Sequence, residues 1–214
     1  MKKFGFTLAE VLITLGIIGV VAALTAPALT KNTGQAKIGP ALAKFVNTFE
    51  VAAESLMNDE NADKLSSIAT TDAGLGNAFA KYIVMAPYSD TVQYVAPNGS
   101  GSAQTMSGAK YQLKDGSIVA ISYYYPQVLD YSSYKGVCGR IIYDINGNKA
   151  GKNRAGKDVF AFYIDNSGVL IPQGSNAEKY VRGSKGTCSP SSSSYTDGLN
   201  CTGAIADNGW KAEY

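Results

Sequence analysis

Lys2-Lys3-Phe4-Gly5-Phe6-Thr7-Leu8-Ala9-Glu10-Val11-Leu12-Ile13 sets the class of this chain. From Phe6 to Thr30 there is no Lys or Arg, and Glu10 is the one ionisable side chain. At about 1.5 Å per residue, Phe6–Ala26 as a helix would reach roughly 31 Å, which matches the roughly 30 Å hydrocarbon thickness of a bilayer. Lys2 and Lys3 stand before the run and Lys31 after it, a mild lean toward an inner N-terminus and an exported remainder. Export would place the rest of the chain where disulfides persist.

An ordinary secretory signal peptide has a similar outline: Lys2 and Lys3, the apolar run Val11–Leu24, and small residues between Ala22 and Ala28. Two features oppose it. Glu10 stands near the start of the apolar run, and no polar break follows that would release a mature domain. A carboxylate in hydrocarbon costs about 2.5–3.5 kcal/mol at the membrane centre, so an acid retained there points to a function. A local role is also open, because Thr7 and Glu10 form the T-x-x-E pattern of a capping box.

The segment Gly5–Glu10 followed by Val11-Leu12-Ile13 resembles the processing signal of type IV pilins and type II secretion pseudopilins. In that family a basic leader ends in Gly and a peptidase cuts before an aromatic residue, which is then N-methylated. A Glu stands fifth in the mature chain. The resemblance implies a leader of residues 1–5, cleavage between Gly5 and Phe6, and methylation of Phe6. It also implies an assembly role for Phe6, Thr7 and Glu10, with Glu10 pairing with the α-amine of Phe6 on a neighbouring copy. Pro27 matches a proline common in these helices. The implied partners are further copies of the chain, a prepilin peptidase, an assembly ATPase and an inner-membrane platform. Nucleic acid joins them only if the chain serves DNA uptake. The implied location is the inner membrane, N-terminus inside, and then a periplasmic or cell-surface filament.

Beyond the apolar run, Ile38, Leu42, Phe45, Val46, Phe49, Ala53 and Leu56 recur at intervals of three and four, which predicts a helix with one apolar stripe. Gly34 and Gly39-Pro40 predict a kink or local melting around residues 34–40, with Pro27 and Pro40 as kink positions. Residues 58–110 are polar and weakly periodic, a connection holding one short helix near Gly76–Met85. Strands follow at Tyr111–Leu113 and Ser117–Tyr123 around the Asp115-Gly116 turn, then at Val137–Ile145, Asp158–Ile164 and Val169–Ile171. The expected fold is α+β, with a long N-terminal helix packed on a four- to five-stranded antiparallel sheet. Its segments are 1–5 leader, 6–27 membrane or filament-core helix, 28–57 amphipathic helix, 58–110 connection and 111–214 β head. The end of the chain, from Cys201 to Tyr214, reads as a hairpin anchored by Trp210 and Tyr214.

The composition weighs against an enzyme. None of the 214 residues is histidine, which removes the commonest general base and metal ligand together. A net charge of +2 gives no bulk field for nucleic acid. Lys149, Lys152, Arg154 and Lys157 form a local basic loop, and the tyrosines at 123–125, 131 and 134 read as packing and loop aromatics. No cofactor is required. Calcium is a candidate at Asp144, Asn146, Asn148 and Asp158, whose start is similar to a D-x-[DN]-x-[DN] loop. Lys149 and Ala155 stand where such a loop carries Gly and Glu, and Asn146-Gly147 also reads as a tight turn. Cys188 and Cys201 enclose a Ser-rich loop that looks like the C-terminal disulfide loop of many pilins, leaving Cys138 free. Pairing of Cys138 with either remains open on sequence. The functional expectation is a structural filament subunit. The alternative is a membrane-anchored module that binds DNA, glycan or calcium and does not polymerise.

Overall fold

The computed structural model describes residues 7–124, 136–147, 153–182 and 184–213, with the side chains of 24–34 and 181–182 excepted. By compactness the chain divides into residues 1–37 and Ile38–Tyr214. Helix α1 runs without a break from Leu8 to Asp59. Its side chains from Thr7 to Ala23 are all exposed. Among the described residues no helix is long and apolar enough to cross a membrane. Thr7–Ala23 would measure roughly 25 Å along the helix axis, short of the roughly 30 Å required. The rest of the expected span, Phe6 and residues 24–27, lies outside the described side chains, and Pro27 with it.

The local melting expected around residues 34–40 does not occur, because α1 is helical throughout. Pro40 removes one amide and so frees the carbonyl of Ala36, but both residues are exposed and water can take that bond. Gly39 is buried for a different reason. A Cβ there would overlap the carbonyl oxygen of Trp210, so the missing side chain admits the backbone of the C-terminal segment.

In the larger unit Ile38, Leu42, Phe45, Phe49, Ala53 and Leu56 of the stripe are buried as their spacing predicts, and Val46 is half-buried against them. Two short helices, α2 (Leu65–Ile68) and α3 (Asp72–Phe79), follow. Thr71 caps α3 by accepting from the Gly74 amide. The strands are β1 (Met85–Pro87), β2 (Gln93–Val95), β3 (Gln104–Thr105), β4 (Ala109–Leu113) and β5 (Ile118–Tyr123). They continue as β6 (Val137–Asp144), β7 (Asn153–Arg154), β8 (Val159–Asp165) and β9 (Leu170–Pro172). The main sheet has six antiparallel strands in the order β1-β4-β5-β6-β8-β9, more than the four or five expected. A second sheet, β3-β2-β7, contains a parallel pair, β2 with β7.

Both faces of the main sheet are covered, and alternation along each strand shows how. Val119, Ile121, Ile141, Phe160 and Phe162 pack with the α1 stripe and with Leu75 and Phe79 of α3. Their neighbours Ile118, Ala120, Ile142, Val159 and Ala161 pack with Val92, Tyr94, Met106 and Leu199 on the opposite face. The ring of Phe45 lies 4.0 Å from that of Tyr143, and Phe49 lies 5.3 Å from Phe79. The connection 58–110 therefore carries structure that its weak periodicity did not show. Where a hairpin is expected from Cys201 to Tyr214 the structure has helix α6 (Cys201–Asp207), preceded by α4 (Glu178–Arg182) and α5 (Tyr195–Leu199). Alternation is absent there. Gly198 and Gly203 fit closely against Ala155 and Ser175, which favours a compact helical turn over an extended pair.

Candidate functional site

Thr7 and Glu10 form a complete capping box. The Thr7 amide and hydroxyl both donate to Glu10 Oε2 at 2.8 Å, and the Glu10 amide donates to Thr7 Oγ1 at 3.3 Å. The cap satisfies amides at the start of α1 that would otherwise lack partners. Gly5 and Phe6 lie outside the described residues. Glu10 is fully exposed and is the only charged residue between Thr7 and Ala23, so this first segment of α1 presents one carboxylate close to its start.

The turn after β6 brings Asp144, Asn146 and Asp158 together, while Asn148 lies outside the described residues. The Asn146 amide donates to Asp144 Oδ1 at 3.3 Å, and Asn153 Nδ2 to Asp144 Oδ2 at 2.7 Å. Asp158 accepts from Asn146 Nδ2 through Oδ1 and from the Arg154 amide through Oδ2, each at 2.9 Å. All four carboxylate oxygens thus have a donor, and the group is a closed hydrogen-bonded turn. Asn146 Oδ1 is buried without a hydrogen-bond partner. Among the described residues no three of His, Cys, Asp and Glu gather as metal ligands. Asn153 is the participant that sequence reasoning missed, since only the return of β7 brings it to Asp144.

Asp144 is fully buried, and that burial pushes its carboxyl up to about 6 from 3.8. The folded state then holds this proton more tightly than the unfolded state does. The resulting stabilisation is fully present below about pH 4 and is lost as pH rises through about 6, a swing of about 2–3 kcal/mol. Asp144→Asn should abolish this component. The stability difference between wild type and variant, measured by urea unfolding from pH 4 to 7, should shift against the wild type as pH rises. A difference that is flat with pH would show that Asp144 titrates normally.

Cys188 and Cys201 form a disulfide. Cys138 is a buried free thiol whose Sγ donates to the Asp165 carbonyl, and burial pushes it up to about 12, so it is inert as a nucleophile. The bridged loop packs onto the second sheet, with Tyr195 edge-on to Tyr94 and the Asn98 amide donating to the Ser192 carbonyl. Closing a loop of this length is worth about 3 kcal/mol. Cys188→Ser with Cys201→Ser should lower the unfolding free energy by about that amount, read from denaturant melts without reductant.

Of the expected basic loop, Arg154 and Lys157 are described and Lys149 and Lys152 are not. Tyr123 and Tyr124 are half-buried at the end of β5, and Tyr125, Tyr131 and Tyr134 lie outside the described residues. Glu178, buried and accepting from the amides of Gly174 and Gly186, pins the segment leading into the disulfide loop and had no sequence signature.

No curated protein and no solved structure matches the chain significantly. Residues 1–26 match the family described as the prokaryotic N-terminal methylation motif. That match covers Gly5, Phe6 and the Thr7–Glu10 box, so the chain carries the prepilin signal that type IV pilins and pseudopilins share.

Proposed function

We propose that this chain is the structural subunit of a type IV pilus or secretion pseudopilus. It is cut between Gly5 and Phe6, N-methylated on Phe6, and polymerised through α1. The prepilin signal at residues 1–26, with Glu10 as the lone charge in the apolar segment, carries this reading. Before assembly, Phe6 to Pro27 holds the chain in the inner membrane with the larger unit outside the cytoplasm. In the polymer, the Glu10 carboxylate pairs with the Phe6 α-amine of a neighbouring copy and fixes the axial register, while apolar helix faces replace lipid. The larger unit has a structural role. Extraction from the membrane needs an external energy source, and the resemblance to pilins implies an assembly ATPase and platform as partners alongside the peptidase.

The test is the mass of the N-terminal peptide from sheared filaments and, in parallel, from membranes. Methylated Phe6 as the first residue of sheared material is the expected result for a pilus, and the same peptide confined to membranes marks a pseudopilus. An intact residue 1–5 leader in all recovered protein would overturn the filament reading in favour of an anchored module. Calcium at the Asp144–Asp158 turn is an accessory proposal, supported by the unpartnered Asn146 Oδ1. It requires a calcium-dependent rise in melting temperature that Asp144→Asn abolishes.

A further inference from the structure

The larger unit has an open groove of about 500 Å³ beside α1. Phe45, Leu113 and Tyr143 line it together with the exposed Lys44 and Lys114. The third charge there, Asp115, turns its Oδ1 to the amide and hydroxyl of Ser117. Neither lysine makes an ion pair among the described residues.

Charge along α1 is segregated. Between Ile38 and Phe49 the only charged residue is Lys44, whereas Glu50–Asp59 holds Glu50, Glu54 and Asp59 and no base. Glu60 and Asp63 follow directly, with Lys64 as the first base after them. Carboxylates at this end of a helix oppose its dipole, whose negative pole favours cations. Lys81 answers Glu60 at 2.8 Å. Glu54 and Asp63 are exposed and have no ion pair among the described residues. Val51, seven residues beyond Lys44 and so on the same helix face, is 53% exposed beside these acids.

We propose that the groove receives the acidic end of α1 from a second copy, so that the larger units dock head to tail. The proposal rests on the filament reading, in which copies run parallel. A shift of about 15 Å along α1 carries Lys44 of one copy to the level of Glu54 in the next. The contact joins two different patches, so it repeats along a polymer without closing. Opposite charge fixes its register, and the apolar groove takes up Val51.

Disulfide trapping in the full-length chain tests it, using Lys114→Cys together with Asp63→Cys. Oxidation should yield a ladder of dimers, trimers and higher species that reductant collapses, and neither chain carrying only one of the two substitutions should yield a ladder. Separately, Lys44→Glu with Lys114→Glu should cut polymer recovery about tenfold or more, and adding Glu54→Lys with Asp63→Lys should restore it. All four sites are exposed, and an unchanged melting temperature confirms that folding is intact. A lone dimer band, no adduct, or polymer indifferent to charge reversal would overturn the docking. If methylated Phe6 and dependence on Glu10 persist alongside such a result, the docking alone fails. If both are lost, the filament reading fails with it.

Discussion

Glu10→Ala should leave the chain in the membrane and remove it from the filament fraction. Stripping one partner from a desolvated ion pair costs about 3–5 kcal/mol, because the remaining charge is left buried and unpaired. Since about 1.4 kcal/mol is a factor of ten, incorporation should fall by about a hundredfold or more. Glu10→Gln separates this role from the capping box seen at Thr7 and Glu10. A glutamine serves a capping box as well as a glutamate does, so a cap alone predicts normal assembly of the Gln variant. A required charge predicts that Gln and Ala fail alike. Immunoblots of sheared and membrane fractions read the result, and wild-type incorporation of both variants would remove Glu10 from the assembly mechanism.

Phe49→Ala should destabilise the larger unit by about 3–5 kcal/mol. The ring is fully buried, 4.6 Å from Phe45 and 5.3 Å from Phe79, so truncation opens a cavity between α1, α3 and the sheet. For a chain of this size the melting temperature should drop by roughly 10 °C. Val51→Ala on the exposed face of the same helix should change stability by no more than about 0.5 kcal/mol. Equal effects from the two would mean that α1 does not pack on the sheet through Phe49.

The resemblance pairs Cys188 with Cys201 and the structure bonds them, but the segment that follows, expected as a hairpin, is helix α6 (Cys201–Asp207). Two glycines that fit against distant backbone, at 198 and 203, shape the C-terminal region as helix, and close approach between remote segments leaves no periodic trace in sequence. The second sheet was missed for a related reason. Its strands are two or three residues long and one pairing is parallel, so neither alternation nor a hairpin turn marks them. Asn153 shows what this costs at a site, since its bond to the buried Asp144 depends on that same β7 return.

By itself the sequence determined the prepilin signal, the α1 stripe and the central strands. Each is written in contiguous residues, as a local motif or as a repeat of 3.6 or 2 along the chain. The tertiary structure alone decided that the sheet is buried on both faces, that Gly39 admits Trp210, and that Lys44 and Lys114 share a groove. These depend on residues far apart in the chain meeting in space, where shape and charge act without any fixed sequence interval.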